Sequence, residues 1–118
     1  MIESLIVVGL VTLFCVAGWA TMASAESLLQ VGIGLAAIGF AYGIPTAIVY
    51  HWRLYRSLSR AGRLPPRWWH QPTALHDRIP GADRAGVLFW GAIGGSGFLV
   101  IVLGIVLTAA GVWRTLAA

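Results

Sequence analysis

Charged residues are scarce in this chain of 118 residues, which has 8 basic and 4 acidic side chains, or 10% of the total. Soluble domains carry about a quarter of their residues as charges. So few charges would not cover a surface that faces water, so the composition excludes an ordinary soluble fold. A single cysteine, Cys15, excludes a disulfide-rich scaffold, and a hydrophobic content of 58% excludes disorder. The class that remains is a small integral membrane protein.

Three long apolar runs cover most of the chain, at residues 2–22, 28–50 and 86–113. Each run matches or exceeds the roughly 20 residues that a helix needs to cross a bilayer core about 30 Å thick. Lipid does not satisfy the hydrogen bonds of an open backbone, so helices are expected. The sequence therefore predicts an all-α integral membrane protein, with three transmembrane helices in a single domain over residues 1–118.

The end of the first run also resembles a signal-peptidase site, because the small residues Ala23, Ser24 and Ala25 precede Glu26. A secretory signal would start with a basic segment, whereas the only charged side chain among residues 1–4 is that of Glu3. The run is also long for the apolar part of a signal peptide. We therefore expect the first run to be a true membrane span.

Most of the charge lies between the second and third runs. Residues 51–84 hold seven arginines and two aspartates, a net charge of +5. The positive-inside rule therefore predicts that residues 51–85 and the N-terminus face the cytoplasm and that the C-terminus lies outside, in a bacterial inner membrane. Four tryptophans agree with these boundaries, because aromatic rings favour the membrane interface. Trp52 and Trp90 flank the cytoplasmic side, and Trp19 and Trp113 flank the other.

A stripe of four arginines opens this cytoplasmic segment: Arg53, Arg56, Arg60 and Arg63. At about 100° per residue they fall within an arc of about 80°, with Leu54 and Leu58 opposite. The second helix should therefore continue as an amphipathic helix that bends onto the membrane surface, and Gly62 and the prolines after it should end it. The stripe suits anionic lipid headgroups or an acidic partner. Arginines that only set the topology would look the same, and the sequence leaves both interpretations open.

The remainder of the segment is rich in proline, arginine and tryptophan, and its prolines forbid a long helix. Arg67, Trp68 and Trp69 form the best candidate for a docking surface, since tryptophan and arginine are enriched at the centres of protein interfaces. Anchoring of the two rings in the lipid interface explains them equally well. Further along the chain, Asp83 is expected to be the N-cap of the third helix.

Three histidines, His51, His70 and His76, are weak candidates for binding a metal or a pigment. Their spacing matches no established ligand pattern, so no cofactor is assigned. No G-x-S-x-G motif surrounds a serine, and both aspartates of the segment are adjacent to arginines, as ion-paired acids usually are. The sequence therefore favours a protein without catalytic activity. Nucleic acid is also a poor candidate, because the basic stretch is short and lies against the membrane.

Glycines at four-residue spacing indicate helix faces that pack closely. Gly39 with Gly43 in the second run, and Gly91 with Gly95 in the third, form two such motifs. These faces are expected to contact each other or another protein, and the sequence does not choose between the two. Pro45 is expected to kink the second helix near its cytoplasmic end.

The leading hypothesis is a non-catalytic accessory subunit of a larger membrane complex, of respiratory, photosynthetic or transport type. Its glycine-rich helix faces and its basic, tryptophan-containing segment would bind other membrane subunits, and anionic lipids would surround its arginines. The first alternative is a homo-oligomeric pore, holin-like or a small channel, lined by glycine, serine and threonine. The second is a protein that binds a metal or a pigment through its histidines. Spans without internal charges argue against ion-coupled transport.

Overall fold

The computed structural model describes all 118 residues, which fold into helices joined by short connections. The three long helices are α1 (Ile2–Met22), α2 (Ala25–Arg60) and α3 (Gly81–Ala117). Residues 61–80, the connecting loop, contain two short 3-10 helices, Trp68–His70 and Pro72–Arg78. All three long helices are long and apolar enough to cross a membrane. The predicted helical class with three candidate spans is thereby confirmed.

The second helix extends well beyond the apolar run that predicted it. It continues past Tyr50 to Arg60, so residues 51–60 are helical as the arginine stripe indicated. Gly62 follows the helix at φ +66°, a left-handed conformation that a residue without a Cβ adopts at little cost. The chain therefore leaves the helix where the sequence predicted an end.

Pro45 lies inside α2 without interrupting it. Proline has no N–H to donate, so one carbonyl of the preceding turn loses its usual partner. At Pro45 that carbonyl belongs to Ala41. The Thr46 hydroxyl donates instead to the carbonyl oxygens of Tyr42 at 2.7 Å and Gly43 at 3.1 Å, so it does not replace the lost bond. The helix stays continuous through the position of the expected kink and carries the arginines beyond it in helical register.

The prediction that Asp83 is the N-cap of α3 is wrong. The helix already begins at Gly81, because the carbonyl of Pro80 accepts hydrogen bonds from the N–H groups of Asp83 at 3.0 Å and Arg84 at 3.1 Å. Asp83 therefore lies within the first turn. Its carboxylate accepts a hydrogen bond from the Ser57 hydroxyl of α2 at 2.8 Å instead.

The chain forms two compact units, residues 1–34 with 103–118, and residues 35–102. In the second unit the connecting loop folds over a hydrophobic cluster formed by the adjoining ends of α2 and α3. The buried members of this cluster are Tyr50, Leu54, Leu58, Leu75, Ile79 and Val87. Leu54 and Leu58 were expected to face the membrane surface, but both are completely buried beneath the loop.

Glycines bring α2 and α3 close together within the second unit. A Cβ built on Gly97 would lie 2.5 Å from the Cα of Gly43, and one on Gly39 would lie 2.9 Å from the backbone nitrogen of Ile101. Real Cβ atoms essentially never approach other atoms closer than 3.0 Å, so the present spacing accepts only glycine. The two backbones are therefore in direct contact, with no side chain between them.

The first unit combines another close helix contact with a set of hydrogen bonds from an arginine to backbone carbonyls. A Cβ on Gly32 would lie 2.5 Å from the hydroxyl oxygen of Thr108. The Arg114 guanidinium donates hydrogen bonds to carbonyl oxygens at the end of α1, those of Ala20 at 2.8 Å, Thr21 at 3.0 Å and Ala23. The last carbonyls of a helix have no partner within it and carry the negative end of its dipole. Arg114 therefore caps α1, a helix that buries none of its own side chains.

Candidate functional site

The arginines of α2 form one wall of a polar cleft, which we call the arginine cleft, in the second unit. The opposite wall comes from the first two turns of α3, and the cleft has a volume of about 330 Å³. Its charged and small lining residues are Arg53, Arg56, Ser57 and Arg60 from α2, and Ala82, Asp83 and Gly86 from α3. Spacing of three and four residues along a helix places the three arginines on one face.

Two of the three guanidinium groups are held over tryptophan rings. That of Arg53 lies 5.7 Å from the ring centroid of Trp90, and that of Arg56 lies 5.2 Å from the ring centroid of Trp52. Such cation–π contacts contribute about 0.5–1 kcal/mol each at exposed sites. A side chain that is already held in place loses less conformational freedom when it binds a ligand. The cleft therefore presents partly ordered cationic groups.

One hydrogen bond joins the α3 wall of the cleft to α2, and one α2 side chain lies close to Gly86. Ser57, only 4% exposed, donates its hydroxyl hydrogen bond to the Asp83 carboxylate across the two helices. The Nη1 atom of Arg53 lies 3.2 Å from the position that a Cβ on Gly86 would occupy. Any side chain at position 86 would therefore compete with this guanidinium for space. Three arginines against the single carboxylate of Asp83 leave the cleft with a surplus of positive charge.

Arg63 and Arg67, the other two predicted arginines, lie outside the cleft. Arg63 follows the end of α2 and donates a hydrogen bond to the backbone carbonyl of Arg78 at 3.2 Å, within the connecting loop. Arg67 is exposed and has a left-handed backbone, with φ +58°, immediately before the first 3-10 helix. The structure therefore divides the predicted arginine group into three cleft residues and two loop residues.

The two adjacent tryptophans of the loop have different roles. Trp68 is half-buried and packs against the hydrophobic cluster, with its ring 5.6 Å from that of Tyr55. Trp69 is 57% exposed and meets the Trp68 ring edge-on at 6.3 Å. A half-buried ring thus supports an exposed one, and Arg67 lies beside them in sequence. Sequence reasoning grouped the two tryptophans and gave no sign of this division.

The three histidines are not brought together into a metal site, and the structure contains no group of three or more residues suited to hold a metal ion. The His76 Nε2 atom forms a hydrogen bond of 2.5 Å with the Tyr50 hydroxyl. The His51 Nδ1 atom donates to the carbonyl oxygen of Ala47 at 2.8 Å. His70 is exposed and contacts the ring of Trp69. His51 and His76 therefore both contact the Tyr50 side chain and line one cavity with it, whereas His70 lies apart from them.

Of the four predicted packing glycines, three lie at contacts within the second unit. Gly39 and Gly43 face α3, and a Cβ on Gly91 would lie 2.9 Å from the Tyr50 ring. Gly95 has no neighbouring heavy atom within 4 Å of its Cβ position, so it is not part of a helix contact within the chain. Gly97, two residues further on, occupies the contact instead.

A seven-residue spacing is the sequence signal that could have identified the packed face of α3. Gly97, Gly104 and Gly111 are separated by seven residues and all are buried. A heptad repeat keeps residues on one face of a helix that packs along another helix. The prediction used the four-residue spacing of Gly91 and Gly95 and did not use this repeat.

Comparison with known proteins gives no match: no protein-family model, no curated protein and no solved structure is significantly similar to this chain.

Proposed function

We propose that this chain is a membrane-spanning, non-catalytic accessory subunit of a larger membrane protein complex, and that it docks through the connecting loop on the cytoplasmic side. The observation that carries the proposal is that this loop is folded. It closes over a hydrophobic cluster and yet leaves Trp69 57% exposed, supported by the ring of Trp68.

A loop that only connects two spans and sets their orientation needs charge but no core of its own. Here Leu75 and Ile79 of the loop are buried against the ends of α2 and α3. Burial of this kind offsets the conformational entropy of ordering the loop before any partner arrives. Exposed tryptophan beside arginine on an ordered support is the composition typical of interface hot spots.

The glycine faces contribute less to docking than the sequence suggested, because the chain uses them itself. Gly39, Gly43 and Gly91 are occupied by contacts between α2 and α3 in the second unit. The surface left for partners is therefore the loop together with apolar helix faces such as that of α1, which has no buried side chain.

The first test compares Trp69→Ala with Trp113→Ala in a tagged protein purified from its host in mild detergent. Both rings are well exposed, at 57% and 72%, but only Trp69 lies on the loop. We expect the wild type and Trp113→Ala to retain the same stoichiometric set of membrane subunits in native mass spectra. Trp69→Ala should lose most of it, since hot-spot tryptophans contribute about 2 kcal/mol or more.

Two results would contradict the proposal. Equal retention of partners by both variants would show that Trp69 is an interfacial anchor like Trp113. Recovery of the wild type as a pure homo-oligomer would favour the pore alternative.

A further inference from the structure

We propose that the arginine cleft is a binding site for the phosphodiester group of an anionic phospholipid. This proposal is independent of the docking role of the loop, because it depends on other residues. It goes beyond a general attraction between arginines and a charged surface, since it assigns one headgroup to one cleft with two walls.

The charge of the cleft matches an anionic group. Arg53, Arg56 and Arg60 contribute three positive charges to a volume of about 330 Å³, against the single carboxylate of Asp83. That carboxylate accepts the Ser57 hydrogen bond at 2.8 Å, which holds it at the α3 wall. A phosphodiester, with one negative charge and two free oxygens, would reduce the remaining surplus, and guanidinium groups bind such oxygens in pairs.

The surroundings of the cleft favour a lipid over a soluble phosphate. Trp52 and Trp90, the rings beneath Arg56 and Arg53, adjoin the predicted cytoplasmic ends of the second and third spans. Tryptophan prefers the depth of the headgroups, and arginine reaches that depth with its aliphatic stem along apolar surface. A phosphate in the cleft would therefore lie level with the phosphates of the surrounding lipid.

Gly86 lines the cleft and leaves space for the Arg53 guanidinium, because it has no side chain. The Nη1 atom of Arg53 passes 3.2 Å from the position of a Cβ on this residue, which is the only contact at that position. A leucine here would fill the cleft and displace the guanidinium without removing any charge. Shape and charge can therefore be tested separately.

The charge test compares two triple variants of the full chain with the same loss of charge. One replaces the cleft residues (R53Q/R56Q/R60Q) and the other replaces loop residues (R63Q/R67Q/R78Q). Native mass spectrometry in detergent measures the dissociation constants of phosphatidylglycerol and of phosphatidylcholine with identical acyl chains, after circular dichroism has verified equal helicity. Each arginine near an anionic lipid contributes about fivefold in affinity. We expect the cleft variant to bind phosphatidylglycerol at least about tenfold more weakly and the loop variant to bind like the wild type.

The shape test compares Gly86→Leu with Gly95→Leu, because both are glycines of α3 but Gly95 has open space at its Cβ position. We expect Gly86→Leu to lose the preference for phosphatidylglycerol, although all its charges remain, and Gly95→Leu to keep it. If Gly86→Leu binds like the wild type, or if the two triple variants lose affinity equally, the arginines attract anions without a site and the proposal is wrong. Inorganic phosphate serves as the soluble probe. Displacement of phosphatidylglycerol by millimolar phosphate would overturn the assignment to a lipid, and its failure to compete would support it.

Discussion

Gly97→Leu is expected to destabilise the folded chain by about 3 kcal/mol, at the upper end of the usual range for overpacked contacts. The Cβ of the new side chain would lie 2.5 Å from the Cα of Gly43 and 3.2 Å from its backbone nitrogen. The obstacle is backbone and not a movable side chain, so α2 and α3 would have to separate in this region. The free energy of unfolding by SDS in mixed micelles measures the loss.

Gly95→Leu is the matched control for this variant, since it makes the same substitution two residues earlier on α3. Position 95 has nothing within 4 Å of its Cβ, so leucine has room there. Leucine also favours a helix by somewhat less than about 1 kcal/mol relative to glycine. The control should be as stable as the wild type or slightly more stable. Equal destabilisation by both substitutions would show that the close contact between Gly43 and Gly97 does not exist.

Arg114→Met is expected to cost about 2 kcal/mol and to loosen the end of α1. Methionine keeps much of the length of the side chain but removes every donor, which leaves the carbonyls of Ala20, Thr21 and Ala23 without the guanidinium. The Ala23 N–H, which donates to the Trp19 carbonyl at 2.9 Å, reports on the last turn. Its hydrogen exchange should become about tenfold faster or more.

Arg114→Lys separates the charge of this cap from its geometry. An ammonium group retains the attraction to the helix dipole but lacks the planar fork that reaches three oxygens at once. We expect an exchange rate between those of the wild type and the methionine variant. A methionine variant that exchanges as slowly as the wild type would show that α1 ends without help from α3.

Hydropathy was sufficient to predict the three helices, because each is apolar over a length that would cross a membrane. The end of α2 was equally predictable from the sequence, since Gly62 has the left-handed backbone conformation that often follows a helix. Hydropathy did not identify the inner face of α3, for which the seven-residue spacing of Gly97, Gly104 and Gly111 was the only signal. Its apolar residues surround the helix, so no polar side distinguishes Gly95, which is open, from Gly97, which is in contact.

The loop and the cleft depend on contacts between residues far apart in sequence, which explains what sequence reasoning missed. The arginine stripe was visible from its periodicity, but the opposite wall at Gly86 was not. Leu54 and Leu58 form the apolar side of the arginine helix. The sequence showed no protein partner for that side, so contact with the membrane surface was the simplest expectation. The structure supplies Leu75 and Ile79 of the loop instead. Asp83 was assigned as a cap from local pattern alone, whereas Pro80 starts the helix earlier.

The cap that Arg114 places on α1 joins residues that are made at very different times during synthesis. Translation produces the carbonyls of Ala20, Thr21 and Ala23 more than ninety residues before the guanidinium that satisfies them. Before α3 has been made, these oxygens have only water as a partner, because a helix leaves its last carbonyls unsatisfied. The end of α1 is therefore completed by a side chain from the third helix.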